Sequence, residues 1–455
     1  LPPGTLPPVV LKFDSSSLPV CLIAVKGEGL KESELRDLAR YQVRNQAAGV
    51  PGASVPQPFG GKYRIIDIPL SNSINSGIKR VFVLTQFLST SLHRHIMGTY
   101  RFDQFTEGFV EILAAQQTQA GQDWFQGPAD AVRATLGQTM YYKCDQMLIL
   151  PGDQLYRMNY ADVVRFHRAA NADITICMHP VDRSEAPRMG LAEVTPSNVI
   201  SRYVEKPQDM DVVDSFRVPA HLSAASGRDL HDQVLASTGI YVFNPNVLSR
   251  ILKESDAADF GFGIFPSAIE RFRVAAYLHL DYWQDIGTIK AFFEANLGLA
   301  KRRSPFRLYV PGRPLYTRAR SLPPSLITAS EIKDSLISEG VFVSGSRIEE
   351  SVIGIRNVVR RGSELRHVVM LGTDFYEGEQ SLSGVTVSEE DGPPLGIGRN
   401  CLIERAIIDK NVRIGDSVII RAKPDIKEFK GDMYWVRDGI TIIPKGTIIP
   451  SGTVL

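Results

Sequence analysis

The 455-residue sequence predicts two folds in one chain, an α/β domain followed by a parallel β-helix. Over residues 18–297, short β-rich runs alternate with helix-like segments, which is typical of a mostly parallel sheet with helices on both faces. In the C-terminal part, aliphatic residues recur every six positions, a period that fits neither an amphipathic helix nor a hairpin. We therefore expect a flexible arm at 1–17, the α/β domain at 18–303, a proline-rich linker at 304–330 and a hexapeptide β-helix at 331–455.

Four apolar runs carry the strongest strand signals of the α/β domain. They are RVFVLT at 80–85, QMLIL at 146–150, ADITIC at 172–177 and ASTGIYVF at 236–243. Apolar residues at helical spacing predict helices at 160–170 and 289–302. Thr288 has the side chain to cap the second of these helices, because its hydroxyl can accept a hydrogen bond from a free N–H of the first turn.

The six-residue period is carried by three groups of aliphatic residues. The groups are Ile353, Val359, Leu365 and Leu371; Leu402, Ile408, Ile414 and Ile420; and Ile442, Ile448 and Val454, with Ile443, Ile449 and Leu455 offering the same spacing one residue later. In a β-helix, each six-residue side of a coil turns one such residue inward. Residues 372–396 break the period, and we expect them to project as a loop.

Composition excludes several classes of partner. Lys plus Arg number 51 and Asp plus Glu 50, so no global field favours nucleic acid or an acidic membrane, and anion binding must be local. No apolar run approaches the length of a membrane span. The cysteines at 21, 144, 177 and 401 lack metal-ligand spacing, so we expect buried small side chains in a reducing compartment.

Two aspartates have the placement of metal ligands. Asp153 follows an apolar strand in LPGDQLYRMNY, and Asp285 follows another apolar run in YWQDIGT. Each alone is more often a turn or cap residue. Together, at strand ends of an open α/β sheet, they are candidate Mg²⁺ ligands, because this ion takes one or two carboxylates plus phosphate oxygens.

Long motifs resemble those of the ADP-glucose pyrophosphorylase family, the glucose-1-phosphate adenylyltransferases. They are FGGKYRIIDIPLSN at 59–72, LPGDQLYRMNY at 150–160, SRYVEKP at 201–207, ASTGIYVF at 236–243, DYWQDIGTIKAFFEAN at 281–296 and IIDKNVRIG at 407–415. The resemblance implies a Rossmann-like nucleotidyltransferase domain and a left-handed parallel β-helix, in a homo- or heterotetramer. It also implies Mg²⁺-dependent conversion of ATP and glucose 1-phosphate to ADP-glucose and pyrophosphate, the committed step to starch or glycogen.

The resemblance also implies roles for individual residues. By motif, the metal ligands would be Asp153 and Asp285, the sugar-phosphate ligands Glu205, Lys206 and Ser237, the nucleotide contacts Gly27, Gly29 and Gln117, and the ligands of a phosphorylated effector Lys423 and Lys445. Arg64, in GGKYR, is a further candidate effector ligand because its guanidinium can bind phosphate. Taken alone, Lys206 could be a solvated turn lysine, Ser237 a small strand residue and Arg64 a member of a surface ion pair. Solvated lysines are common at β-helix corners, so Lys423 and Lys445 carry the same alternative.

The chain departs from the family on the nucleotide side. At 24–56 the family's GGxGxRLxPLT loop and RAKPAVP-like segment are missing, and Glu28 stands between Gly27 and Gly29. Pro128 stands in GPADAV where the family has GTADAV, and it removes a backbone N–H. Losing one oxyanion-type contact costs a factor of roughly 10²–10³ in rate.

We therefore interpret the chain as a catalytically impaired, mainly regulatory subunit. Two alternatives stay open: a fully active subunit in which Arg36, Arg40 or Arg44 substitutes in space or the segment was altered in the source sequence, and a sugar-phosphate sensor without turnover. The resemblance places the protein in the plastid stroma of a photosynthetic eukaryote, and otherwise in the cytoplasm.

Overall fold

The computed structural model describes residues 58–86, 90–103, 105, 108–114, 125–377 and 392–455. The predicted arm, the segment 24–56 with Gly27 and Gly29, and Gln117 lie outside these residues. In the described part of the chain, no helix combines the length and the apolar character that a membrane crossing demands.

The first domain is built from twelve described strands and the helices between them. The strands are β1 (Pro58–Phe59), β2 (Tyr63–Arg64), β3 (Arg80–Thr85), β4 (Phe109–Ala114), β5 (Met147–Ile149), β6 (Gln154–Tyr156), β7 (Ile174–Asp182), β8 (Gly190–Val194), β9 (Ile200–Glu205), β10 (Gln233–Phe243), β11 (Val274–Leu278) and β12 (Trp283–Asp285). The α-helices are α1 (Asp67–Asn75), α2 (Thr90–Thr99), α3 (Pro128–Tyr141), α4 (Tyr160–Ala169), α5 (Met210–Asp214), α6 (Ala220–Ser226), α7 (Pro245–Glu254), α8 (Phe265–Arg271) and α9 (Ile289–Ala300). A 3₁₀ turn lies at Ala186–Arg188 and a π turn at Phe260–Ile264.

The α/β class is confirmed, and the predicted strands and helices are present. The four apolar runs lie in β3, β5, β7 and β10, and the two predicted helices are α4 and α9. Thr288 caps α9 as expected, since its Oγ1 accepts a hydrogen bond from the Ala291 N–H at 3.1 Å.

The largest sheet of this domain is mixed, where we expected mostly parallel pairing. Its order is β11-β7-β10-β8-β9, with β5 also paired to β10. β11 pairs with β7 in parallel, and β3 pairs with β4 in parallel in a separate ribbon, but β10 runs antiparallel to β5, β7 and β8. β8 and β9 are antiparallel because a tight turn at 195–199 joins them, and a connection that short cannot join parallel strands.

The second domain is the predicted β-helix. Its strands are β13 (Leu326–Thr328), β14 (Glu331–Lys333), β15 (Leu336–Ile337), β16 (Phe342–Ser344), β17 (Arg347–Glu349), β18 (Val352–Ile353), β19 (Val358–Val359), β20 (Glu364–Met370), β21 (Gly396–Ile397), β22 (Leu402–Ile408), β23 (Arg413–Ile414), β24 (Ile419–Ile420), β25 (Glu428–Lys430), β26 (Trp435–Arg437), β27 (Ile440–Ile443) and β28 (Ile448–Ile449). Its first strand, β13, lies inside the segment that we predicted as linker.

Parallel pairing stacks aliphatic side chains in three buried ladders. They are Val343, Val359, Ile397, Ile414 and Ile449; Ile348, Leu365, Ile403 and Ile420; and Ile353, Met370, Ile408 and Ile443. Most of the predicted inward positions are confirmed by these ladders. Of the two registers offered at the C-terminus, the one with Ile443 and Ile449 is buried, whereas Ile448 is 44% and Val454 69% exposed.

Two predicted inward positions are wrong by one residue. Met370 and Ile403 occupy the ladders in place of Leu371 and Leu402. The reason is that β20 and β22 each turn a corner within the strand, at a residue with positive φ: His367 (52°) and Arg405 (46°). The step from Leu365 to the next ladder residue, Met370, is therefore five, and the six-residue period does not hold through the corner.

Two insertions interrupt the coils. Residues that pair on successive coils are elsewhere 16 or 17 positions apart in the sequence. Met370 and Ile408, and likewise Ile408 and Ile443, pair although they are separated by about twice that number of residues. The first insertion falls where we expected the loop 372–396, of which residues 378–391 lie outside the described part. The second, residues 421–439, contains the antiparallel hairpin β25–β26, which we did not predict.

The two domains share a hydrophobic core. Phe292, Phe293 and Leu299 of α9 are buried in one cluster with Val352, Val369 and Leu371 on the outer face of the β-helix. Displacement from the inner ladder thus gives Leu371 a role at the domain interface. The cysteines that the structure describes follow our expectation only in part, because Cys177 and Cys401 are buried but Cys144 is exposed, and Cys21 lies outside the described residues.

Candidate functional site

The two predicted metal ligands lie side by side. Asp153 immediately precedes β6, and Asp285 ends β12, which pairs with β6 so that Asp285 lies opposite Gln154. Both carboxylates border Gly287: a methyl group on that residue would lie 3.1 Å from Asp285 Oδ1 and 3.8 Å from Asp153 Oδ2. Gly287 also donates its N–H to Asp285 Oδ1 at 2.8 Å. The fold therefore converges two carboxyl groups on one small volume.

The electrostatics of this pair favour an added positive charge. Loss of solvation raises the pKa of Asp153, and the nearby Asp285 carboxylate raises it further. No group of three or more His, Cys, Asp or Glu side chains suited to a metal occurs among the described residues. The pair fits Mg²⁺, which takes few protein carboxylates and completes its shell with water and phosphate oxygens.

The predicted sugar-phosphate residues lie close together on neighbouring strands. Glu205 ends β9 opposite Gly190 of β8, and Ala236 of β10 lies opposite Leu191, so Ser237, in the interior of β10, is level with the Gly190 end of β8. Burial raises the pKa of Glu205, although Tyr203 donates a hydrogen bond to its Oε2 at 2.8 Å. The Glu205 carboxylate is thus partly shielded from water and held by Tyr203, a residue that our sequence analysis did not identify.

Lys206 stands next to this carboxylate in an unusual backbone conformation. Its φ is +49°, and its Nζ lies 3.7 Å from Glu205 Oε1. The side chain is exposed. An exposed ammonium beside a half-buried carboxylate can receive a phosphate while the carboxylate accepts hydrogen bonds from hydroxyl groups.

A bulge in β10 joins the two groups into one site. Gly239 has a φ of +75° and interrupts the register between Ser237 and Tyr241. A methyl group there would lie 3.6 Å from Pro151 and from Gln154 Nε2, which flank Asp153. The strand that carries Ser237 therefore packs against the loop that carries Asp153.

The nucleotide side is described only at Pro128. This residue opens α3, where a missing N–H costs nothing because the first helical amides have no partner within the helix. The next two amides, of Ala129 and Asp130, donate to the Ala258 carbonyl at 2.9 and 3.2 Å. The N-terminus of α3 is therefore occupied by the chain itself.

A basic cluster lies where the β-helix meets the first domain. Lys410 Nζ lies 2.7 Å from Asp374 Oδ1, and Lys445 Nζ lies 3.2 Å from Asp374 Oδ2. Burial alone would raise the pKa of Asp374, but the two lysines hold it well below its usual range. Arg64 lies close enough to interact electrostatically with both Asp374 and Lys410. We therefore define the Asp374 cluster as Arg64, Asp374, Lys410 and Lys445.

The structure thus brings together two of the three predicted effector ligands. Arg64 and Lys445 belong to the Asp374 cluster, together with Lys410, which we did not single out although it lies in the IIDKNVRIG motif. Lys423 lies in the second insertion, and its ammonium is 5.7 Å from the centroid of the Tyr434 ring. The contacts described for Lys423 are local to that insertion.

Comparison with known families agrees with this geometry. A family model described as nucleotidyl transferase matches residues 55–302, which is more than half of the chain. The chain therefore belongs to the nucleotidyl transferase family. A second model, described as the GLGC left-handed parallel beta-helix domain, matches residues 320–454. The two in this order are the architecture of the ADP-glucose pyrophosphorylase family, which confirms the resemblance and the left hand of the β-helix.

Proposed function

We propose that the chain is a subunit of a glucose-1-phosphate adenylyltransferase, which converts ATP and glucose 1-phosphate to ADP-glucose and pyrophosphate for starch or glycogen synthesis. One observation carries the proposal. In a nucleotidyl transferase domain, the carboxylate pair Asp153 and Asp285 lies beside the group Glu205, Lys206 and Ser237. This arrangement supplies a metal-binding end and a sugar-phosphate end within one site.

Each side chain has a role that its surroundings support. Mg²⁺ held by Asp153 and Asp285 would neutralise phosphoryl charge. Lys206 pairs with the phosphate of the sugar, because its ammonium is exposed at the strand end. Glu205 and Ser237 accept hydrogen bonds from sugar hydroxyls. Alignment of the two anions for in-line displacement is the main task of such a site.

We propose further that this subunit is impaired in nucleotide transfer and acts mainly in assembly and regulation. The support is twofold. The glycine-rich loop expected at 24–56 is altered in sequence, and the helix N-terminus at Pro128 is capped by Ala258 rather than free for an anion. The sugar end has no comparable alteration in its motifs.

Regulation would act through the Asp374 cluster. Two lysines contact the Asp374 carboxylate there and Arg64 interacts with it electrostatically, so a phosphorylated effector such as 3-phosphoglycerate could bind by displacing Asp374 from Lys410 and Lys445. Lys423 would be a separate contact. The proposal includes a homo- or heterotetramer, in the plastid stroma of a photosynthetic eukaryote and otherwise in the cytoplasm.

Pyrophosphorolysis of ADP-glucose tests the proposal. We expect low turnover by the purified chain alone, and a changed effector response when it is combined with a catalytically active subunit. Turnover by the chain alone near that of ordinary family members would refute impairment and identify an active subunit. Binding of glucose 1-phosphate by a chain that joins no enzyme would identify a sensor instead.

A further inference from the structure

An exposed aromatic ring stands at the mouth of the sugar-phosphate site. Phe262 is 62% exposed, and the Lys206 ammonium lies 5.5 Å from the centroid of its ring. At this distance the negative face of the ring attracts the cation. Core packing does not explain why so large an apolar side chain is exposed to solvent beside the Lys206 ammonium.

The backbone around Phe262 is held in place by its neighbours. Asp259 Oδ1 accepts a hydrogen bond from the Gly261 N–H at 2.7 Å, and Phe260 is buried in the core. A methyl group on Gly261 would lie 2.0 Å from Glu205 Oε2. The π turn at Phe260–Ile264 thus packs directly on Glu205 and exposes the Phe262 ring to solvent. Such turns are frequent at functional sites.

We infer that Phe262 is a positioning residue that holds the Lys206 ammonium available for the phosphate of the sugar substrate; the inference rests on the proposed function of the site. The Lys206 Nζ lies 3.7 Å from Glu205 Oε1, and a closer ion pair with this carboxylate would compete with the phosphate. An aromatic face attracts the ammonium without neutralising it. The ring therefore holds the Lys206 ammonium toward the ligand and leaves Glu205 free for a hydroxyl group.

The test measures the dissociation constant of glucose 1-phosphate by calorimetry on the full chain. Phe262→Leu keeps an apolar side chain but removes the ring, and we expect it to weaken binding about two- to fivefold. Phe262→Tyr keeps the ring and should bind as the unaltered chain does. Phe429→Leu, at a partly exposed ring in the β25–β26 hairpin, is the matched control and should have no effect.

A double-mutant cycle shows whether the ring acts through the lysine. Lys206→Gln should weaken binding by itself, and Phe262→Leu should add nothing in that background. An equal loss from Phe262→Leu in both backgrounds would overturn the inference, and so would unchanged binding by Phe262→Leu while Lys206→Gln weakens it. Binding that Lys206→Gln leaves unchanged would instead refute the proposed sugar-phosphate site itself, and the inference with it.

Discussion

Acid should destabilise the first domain through the buried His279 and its half-buried partner His179, which lie behind the site. His279 follows β11 and is 5% exposed, and its Nε2 has no hydrogen-bond partner. His179 Nδ1 donates to the His279 carbonyl at 2.8 Å, and the His179 ring lies 5.6 Å from the Trp283 ring. Trp283 in turn donates to Gln154, next to Asp153. Charging this pair would therefore disturb the support of the carboxylate loop.

The magnitude follows from the pKa of His279. Burial, and then the neighbouring His179, lower this pKa from 6.5 to about 4, against a smaller opposing effect of Asp281. Because the His279 imidazole binds its proton more tightly in the unfolded chain than in the folded one, the free energy of unfolding decreases as the pH falls from 6.5 toward 4. The loss is ~2 kcal/mol at pH 5 and ~3 kcal/mol below pH 4.

Urea unfolding at pH 7 and pH 5 measures this effect. Tryptophan fluorescence and circular dichroism follow the transition of the unaltered chain and of His279→Phe, which fills the same space without a titrating group. We expect the variant to lose ~2 kcal/mol less between the two pH values. Equal losses in both proteins, or a native His279 pKa near 6.5 by NMR, would refute the reasoning.

Three further substitutions, two of them paired with a control substitution, test the site and the register. Gly261→Ala should destabilise the chain by ~1–3 kcal/mol and weaken sugar-phosphate binding, because its methyl group would overlap a carboxylate oxygen; Gly137→Ala, with open space around it, should be neutral or stabilising. Ile449→Ala should cost ~2–5 kcal/mol in thermal unfolding and the exposed Ile448→Ala under ~1 kcal/mol, and equal costs would contradict the ladder assignment. Asp285→Asn should abolish Mg²⁺-dependent binding of ADP-glucose in calorimetry without lowering the melting temperature, and retained metal dependence would remove Asp285 from the site.

Local pattern was sufficient for the strongest strands and helices and for the class of fold. The β-rich runs at 80–85 and 236–243 and the cap at Thr288 depend on residues close in sequence, and all of them are present. The six-residue period predicted the β-helix because each side of a coil repeats one inward position. The family motifs named the carboxylate pair and the sugar-phosphate group, whose roles stay predictions.

Tertiary structure decided what depends on distant partners. Which register at 443–455 faces inward is fixed by pairing with coils formed earlier in the chain, and a corner inside β20 moved the ladder from Leu371 to Met370. The Asp374 cluster joins Arg64 to Lys410 across the domain interface, a separation that no local pattern encodes. The position of Phe262 also depends on tertiary structure, because only the packing of the π turn on Glu205 brings the Phe262 ring to Lys206.

The sequence by itself determined the two domains and their family, since these follow from local periodicity and motifs. The choice of side chains that share a site required the fold, because contact between residues far apart in the chain is set by packing.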